Sequence, residues 1–166
     1  NALQADKTQL PVQVLLGRAL MADGQAVAAE VAVLLGERGI GGQDTDLTFR
    51  RQRWRRESDK RADAARGLAK RWAKLVPPPA SGMAPVSATD ATGISLALAF
   101  PDRVAKRRSA DGADWASVGG RGFRLDPLSP LASEAWLAVG EVQGSAAGAR
   151  ILSAAPIGEA EVIALF

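Results

Sequence analysis

The sequence predicts an α+β protein in two parts, an N-terminal helical bundle followed by a small β-barrel. Three observations lead there. Before residue 77, apolar residues recur at a spacing of three to four, the period of a helix with one buried face. After residue 93, apolar runs are short and are broken by Gly-Gly, Asp-Pro and Gly-Ser pairs, as in an all-β unit with tight turns. Between the two, Pro77-Pro78-Pro79-Ala80-Ser81-Gly82 cannot continue a helix, because proline lacks the N–H and clashes with the preceding turn. The expected boundaries are a bundle over 1–76, a linker over 77–93 and a barrel with flanking helices over 94–166.

In chain order, Val12, Leu15, Leu16, Ala19 and Leu20 mark a helix from Leu10 to Met21, broken by Gly24. Val27, Val31, Leu34 and Leu35 mark a second, from Ala26 to Arg38, ended by Gly39, Gly41 and Gly42. Asp46 is placed to cap a third helix running to Val76, with an interruption possible near Ser58. If that helix is unbroken, Trp54 and Trp72 share a face. Core packing is preferred to base stacking for both, and barrel-core packing is expected of Trp115 and Trp136. The segment from Ile94 to Arg108 reads as strand by its alternation of large and small residues. It reads equally as helix by its Ala and Leu content and by Pro101. Strands are expected at Trp115–Val118, Gly122–Leu125, Ala135–Val142 and Ala149–Ala154, and four or five of them suit a small barrel. Glu159 to Phe166 reads as the start of a helix.

Composition removes several function classes. Among 166 residues there is no Cys, no His and no Tyr. Disulfides, thiolate metal sites and His-based catalytic triads cannot be built. No apolar run approaches the ~20 residues needed to cross a bilayer, so no membrane partner is expected. The start, Asn1-Ala2, has neither an initiator Met nor a leader pattern. It is expected to be the remnant of a cleaved tag on a segment of a longer, cytoplasmic protein. The cluster from Gly36 to Gly42 lacks the Lys-Ser/Thr of a phosphate loop, and Gly119-Gly120-Arg121-Gly122 does not open a helix, so both read as turns. Asp44, Asp46, Asp111 and Asp114 read as turn and cap residues.

The positive signal is charge. Between Arg50 and Lys74 stand eleven Arg and Lys against Glu57, Asp59 and Asp63, in a chain whose net charge is only +3. Such asymmetry points to a polyanionic partner, although a basic face can also be merely solvated.

A resemblance then narrows the reading. Leu98-Ala99-Phe100-Pro101-Asp102-Arg103-Val104-Ala105-Lys106-Arg107-Arg108 resembles the L-A-Y-P-D-R-I-A-K-R-R signature of bacterial HrpB-type DEAH-box helicases. Gly120-Arg121-Gly122, Glu134 to Glu141 and Ala149 to Ile157 are similar to that family's next three motifs, in the same order. Val31 to Arg38 and Asp46-Leu47 are similar to its bundle, whereas Leu10-Pro11 lacks the His-Pro-Arg that follows in the family.

The resemblance implies the helical ratchet bundle and oligonucleotide-binding (OB) barrel of a DEAH-box ATP-dependent helicase. It implies single-stranded RNA or DNA and the parent's motor domains as partners. ATP and Mg would belong to the motor, and this segment, with no Walker sequence, is expected to hold no cofactor and to hydrolyse no ATP. Phosphate contacts are expected from Arg51, Arg55 and Lys60 in the bundle, and from Arg103, Lys106, Arg107, Arg108, Arg121 and Arg124 in the barrel. The competing readings are a stand-alone OB-fold RNA-binding protein and a protein-interaction domain whose basic face is only solvated.

Overall fold

The structure, a computed structural model, describes residues 24–37, 39–75, 88–145 and 147–166. The helix expected from Leu10 to Met21 and most of the expected linker lie outside them. Helix α1 (Gly24–Gly36) buries Val27, Ala28, Ala29, Val31, Ala32, Val33 and Leu34, residues that together go round the whole helix. A helix apolar on all sides must be covered on all sides. It packs against α3 (Lys60–Ala73) and α4 (Ala88–Ala99), with α2 (Leu47–Trp54) alongside. Past its end, Gly39, Gly41 and Gly42 all adopt positive φ, and a Cβ on Gly41 would run into the Arg50 carbonyl.

The long third helix is in fact two. Asp46 caps α2 by accepting from the Thr48 N–H at 2.9 Å, and Asp59 caps α3 by accepting from the Ala62 N–H at 2.8 Å. The chain turns between them, and Trp54 at the end of α2 donates its indole N–H to the Ala62 carbonyl at 3.2 Å. Trp54 is therefore a core residue that pins the turn, and it shares no helix face with the partly buried Trp72.

The ambiguous segment is both helix and strand. Helix α4 begins at Ala88, inside the stretch expected to be linker, and runs to Ala99. A 3-10 turn at Pro101–Arg103 then leads into β1 (Val104–Arg107). With β2 (Asp114–Ser117), β3 (Gly122–Arg124), β4 (Trp136–Gln143) and β5 (Ala147–Pro156) it forms a closed barrel in the order β1-β2-β3-β5-β4. Every pairing is antiparallel except β3 with β5. Trp115, Phe123, Leu137, Val139 and Ile151 fill the interior, and Leu131 from a second 3-10 turn (Pro130–Ser133) joins them. A short helix α5 (Glu159–Leu165) follows.

Bundle and barrel share one core. Val104, Ala138, Ala155 and Ile157 of the barrel belong to the same buried cluster as α1, Trp54 and α4. The Ala154 N–H donates to the Thr45 carbonyl at 2.9 Å, and Gly93 of α4 lies so near the Pro156 carbonyl that no Cβ would fit. Each large apolar side chain so buried contributes about 1.5–3 kcal/mol.

Asp46 sits on this seam. Burial pushes its carboxyl above the ordinary aspartate range, against the pull of the Thr48 and Phe49 N–H groups and with a further push from Asp44. A raised carboxyl binds its proton more tightly in the folded chain than in the unfolded one. The destabilisation is thus absent below the ordinary value of 3.8 and grows as pH rises through the folded value. Asp46→Asn keeps the cap and removes the charge. Its melting temperature should exceed that of the parent at pH 7, and the gap should close by about pH 3 in thermal melts followed by circular dichroism. A gap that widens in acid would contradict the assignment.

Candidate nucleic-acid interface

The basic residues divide into those that hold the fold and those that face water. Arg51 is only 3% exposed and donates to the Glu30 carboxylate at 3.0 Å, deep between α1 and α2. Arg51, expected as a phosphate contact, is thus turned inward and does not face solvent. Arg55 is exposed and leans on the same Glu30 oxygen at 3.5 Å. Arg50 is buried and donates to the Ile40 carbonyl from Nε and Nη2, at 3.3 and 3.1 Å. Burial lowers its guanidinium pKa, which Glu141 and Asp44 partly offset. Arg66 donates to the Trp54 carbonyl at 2.7 Å and pairs with Asp63, and Arg61 pairs with Glu37 at 3.7 Å. What remains for solvent on α3 is Lys60, Lys70 and Arg71, with Lys74 at its C-cap. Helical spacing places Lys60, Arg71 and Lys74 on the side opposite the buried Ala62, Ala65 and Ala69, with Lys70 on the flank.

The barrel cations divide in the same way. Arg103 and Arg107 share no helix face, because the helix stops at Ala99. Arg103 stands in the 3-10 turn, donates to the Gly140 carbonyl at 2.7 Å and lies over the Phe100 ring at 4.8 Å. Arg107, on β1, donates to the Ala132 carbonyl at 3.2 Å. Both latch the barrel closed. Lys106 is exposed over the Trp136 ring at 5.5 Å, and Arg121 is half-buried over Phe123 at 5.4 Å.

Arg108 and Arg124 are open to water, and the register gives Arg124 a neighbour that sequence reasoning passed over. On the parallel β3–β5 pair, Arg124 is directly across from Arg150, which is exposed between buried Ala149 and Ile151. That alternation was visible in the sequence. Asp114 pairs with Arg124 on the other side, and its side chain reaches the guanidinium at 3.3 Å. The Arg108 N–H donates to the Asp114 carbonyl. The loop after Arg108 is braced by Asp111, whose carboxylate accepts from the Ser109 hydroxyl at 2.6 Å and the Ala113 N–H at 3.0 Å. The Ser109 hydrogen bond, helped by that of Ala113, holds the Asp111 carboxyl below its ordinary range.

Arg108, Arg121 and Arg124 line one open groove over β2 and β3, and Gly120, Gly122 and Gly148 leave its backbone bare. Small five-stranded barrels of OB type bind oligonucleotides over this face. Trp115 and Phe123 lie under the groove, with their rings turned into the barrel core. The wall thus offers guanidinium groups and backbone rather than stacking surfaces. Among the described residues, no group of three or more His, Cys, Asp or Glu could hold a metal ion. No described helix is long and apolar enough to cross a membrane.

A helical bundle fused through its core to a five-stranded barrel is an architecture that this chain shares with part of solved helicase structures. Among solved structures, the chain is similar to the crystal structure of the E. coli DExH-box NTPase HrpB, with 25% identity, a TM-score of 0.70 and 98% of this chain covered. A crystal structure of Escherichia coli DEAH/RHA helicase HrpB shares the fold at 20% identity and a TM-score of 0.61, over 96% of this chain. The chain spans about a fifth of the length of each, 19% and 22%. Neither a protein-family model nor a curated protein matches the sequence.

The division of the arginines has a measurable consequence. Arg51→Ala removes the buried partner of Glu30, leaving only the exposed Arg55 at 3.5 Å, and should lower unfolding free energy by about 3 kcal/mol in urea titrations. Arg124→Ala and Arg150→Ala should each stay within about 0.5 kcal/mol of the parent.

Proposed function

We propose that this chain is the nucleic-acid-guiding accessory region of a cytoplasmic ATP-dependent helicase, acting on single-stranded RNA or DNA delivered by motor domains elsewhere in a larger protein. The observation that carries the reading is the barrel wall, where Arg108, Arg124 and Arg150 stand exposed beside bare glycine backbone. The likeness of the whole described fold to part of a DExH-box NTPase supports it.

Each guanidinium presents a planar fork of donors that matches two phosphate oxygens at once. Neutralising a phosphate releases condensed counterions, which favours binding at any sequence. The burial of Trp54 and Trp115 and the absence of Tyr favour contact through the backbone of the strand rather than through its bases. The outer face of α3, with Lys60, Lys70, Arg71 and Lys74, supplies a second stretch of positive charge for the same strand. Binding and hydrolysis of ATP, with Mg, are assigned to the motor. The role left to this segment is to hold the departing strand so that each motor cycle advances it.

Anisotropy of a fluorescent single-stranded RNA, titrated at several salt concentrations, tests the reading. Affinity should fall linearly on a log–log plot, by about 0.7 per phosphate neutralised. The Arg124→Ala/Arg150→Ala pair should flatten that slope by about 1.4 and weaken binding alike for unrelated sequences. A parent chain that binds no RNA at low salt, or a double variant with an unchanged slope, would remove the barrel wall from the function.

A further inference from the structure

The seam between bundle and barrel carries a surface of the opposite character. Asp46, Thr48, Phe49, Glu134, Pro156 and Ile157 enclose a cleft of about 420 Å³ between the start of α2 and the end of β5. That is within the size range of pockets that bind ligands. Ile157 and Pro156 provide an apolar surface, and the Phe49 ring, 49% exposed, stands at its edge. Asp46 enters from the bundle and Glu134 from the barrel, and no Arg or Lys among the described residues forms a salt bridge with either. The Thr48 side chain lines the same cleft at 8% residue exposure, with its hydroxyl buried where it helps hold the Asp46 carboxyl charged.

Two carboxylates without cations gather around one apolar surface with an exposed aromatic ring, in a chain that is otherwise rich in Arg and Lys. We propose that this cleft is the docking site of a basic linear segment of a protein partner, with an apolar side chain seated on Phe49 and Ile157 and an adjacent Arg or Lys paired with Asp46 and Glu134. Charge selects the occupant. A nucleic acid strand is repelled by both carboxylates, and a polyamine would answer the charges but leave the Phe49 ring uncovered. A peptide answers both, and its own N–H and C=O groups match the exposed Gln52 side-chain amide. The burial that raises the Asp46 carboxyl supports the same view, since a cation beside it would relieve that penalty. The cleft is separate from the arginine wall, so it stands or falls independently of the nucleic-acid reading.

The probe is a short fluorescein-labelled peptide with Leu-Arg-Trp-Lys at its centre, and its control carries Glu in place of Arg and Lys. The parent chain should give a saturable anisotropy rise with a Kd on the order of 10–100 µM, and the control none. Asp46→Asn, which preserves the cap, combined with Glu134→Gln should weaken binding about tenfold or more, and so should Phe49→Ser. Arg124→Ala should leave peptide binding unchanged, and the Asp46→Asn/Glu134→Gln variant should bind single-stranded RNA no more weakly than the parent. Melting curves confirm that each variant is folded. Should the double variant fail to fold, Glu134→Gln alone serves, with a smaller but measurable loss expected. No saturable binding, or binding indifferent to these substitutions, overturns the proposal. So does displacement by spermidine together with indifference to Phe49→Ser, which would mark a polyamine site. Dimers that dissolve in Phe49→Ser would also overturn it, since the occupant would then be a second copy of the chain.

Discussion

Helix α1 has almost nothing to offer water along its described length. From Val27 to Leu34 every residue but Glu30 is apolar and buried, so the other elements are arranged to cover it on all sides. Helices α3 and α4 take two sides, α2 lies along a third, and Leu35 reaches the barrel at Gly140, where a Cβ would crowd it. Covering this helix is what draws bundle and barrel into one core. Its one buried-side carboxylate, Glu30, becomes the anchor that lets α2 approach despite the arginines α2 carries.

That constraint also decides what the charge means. A run of eleven cations in a sequence looks like a single basic face. In the fold, Arg50, Arg51 and Arg66 are turned inward onto carbonyls and carboxylates, and Arg55 and Arg61 are held at the surface by glutamates of α1 or the turn after it. The charge free to act at a distance is smaller and is split between Arg53 and Arg56 around the end of α2, the outer side of α3 and the wall of the barrel. Long guanidinium side chains serve both purposes because their stems pack while their heads still find acceptors.

Much of this was legible in the residues, for physical reasons that differ from element to element. The barrel strands could be read because apolar residues alternate along them and glycine or proline interrupts them, and four of the five were placed to within about two residues. The Asp46 cap was legible because a carboxylate before a helix satisfies an otherwise orphaned N–H. The break between α2 and α3 was harder to place. Asp59 is a cap of the same kind, but it sits among cations that suit a helix equally well, and only the folding back of Trp54 onto Ala62 decides the matter. Strand β1 was hidden because Ile94 to Arg107 is helix, turn and strand in succession, and no single period describes it. Arg150 was not legible as a candidate because its partner Arg124 is distant in sequence. The two meet only through the parallel register of β3 and β5.

The close approach of Gly93 to the Pro156 carbonyl, with the Thr45–Ala154 hydrogen bond beside it, makes the seam stiff as well as tight. A joint of this kind transmits force without bending. A push on the outer face of α3 reaches the arginines of β3 and β5 through α1 and this seam, since α3 packs on α1. The distance between the two cationic surfaces is therefore a fixed length built into the molecule, and whatever lies across both is measured against it like a gauge.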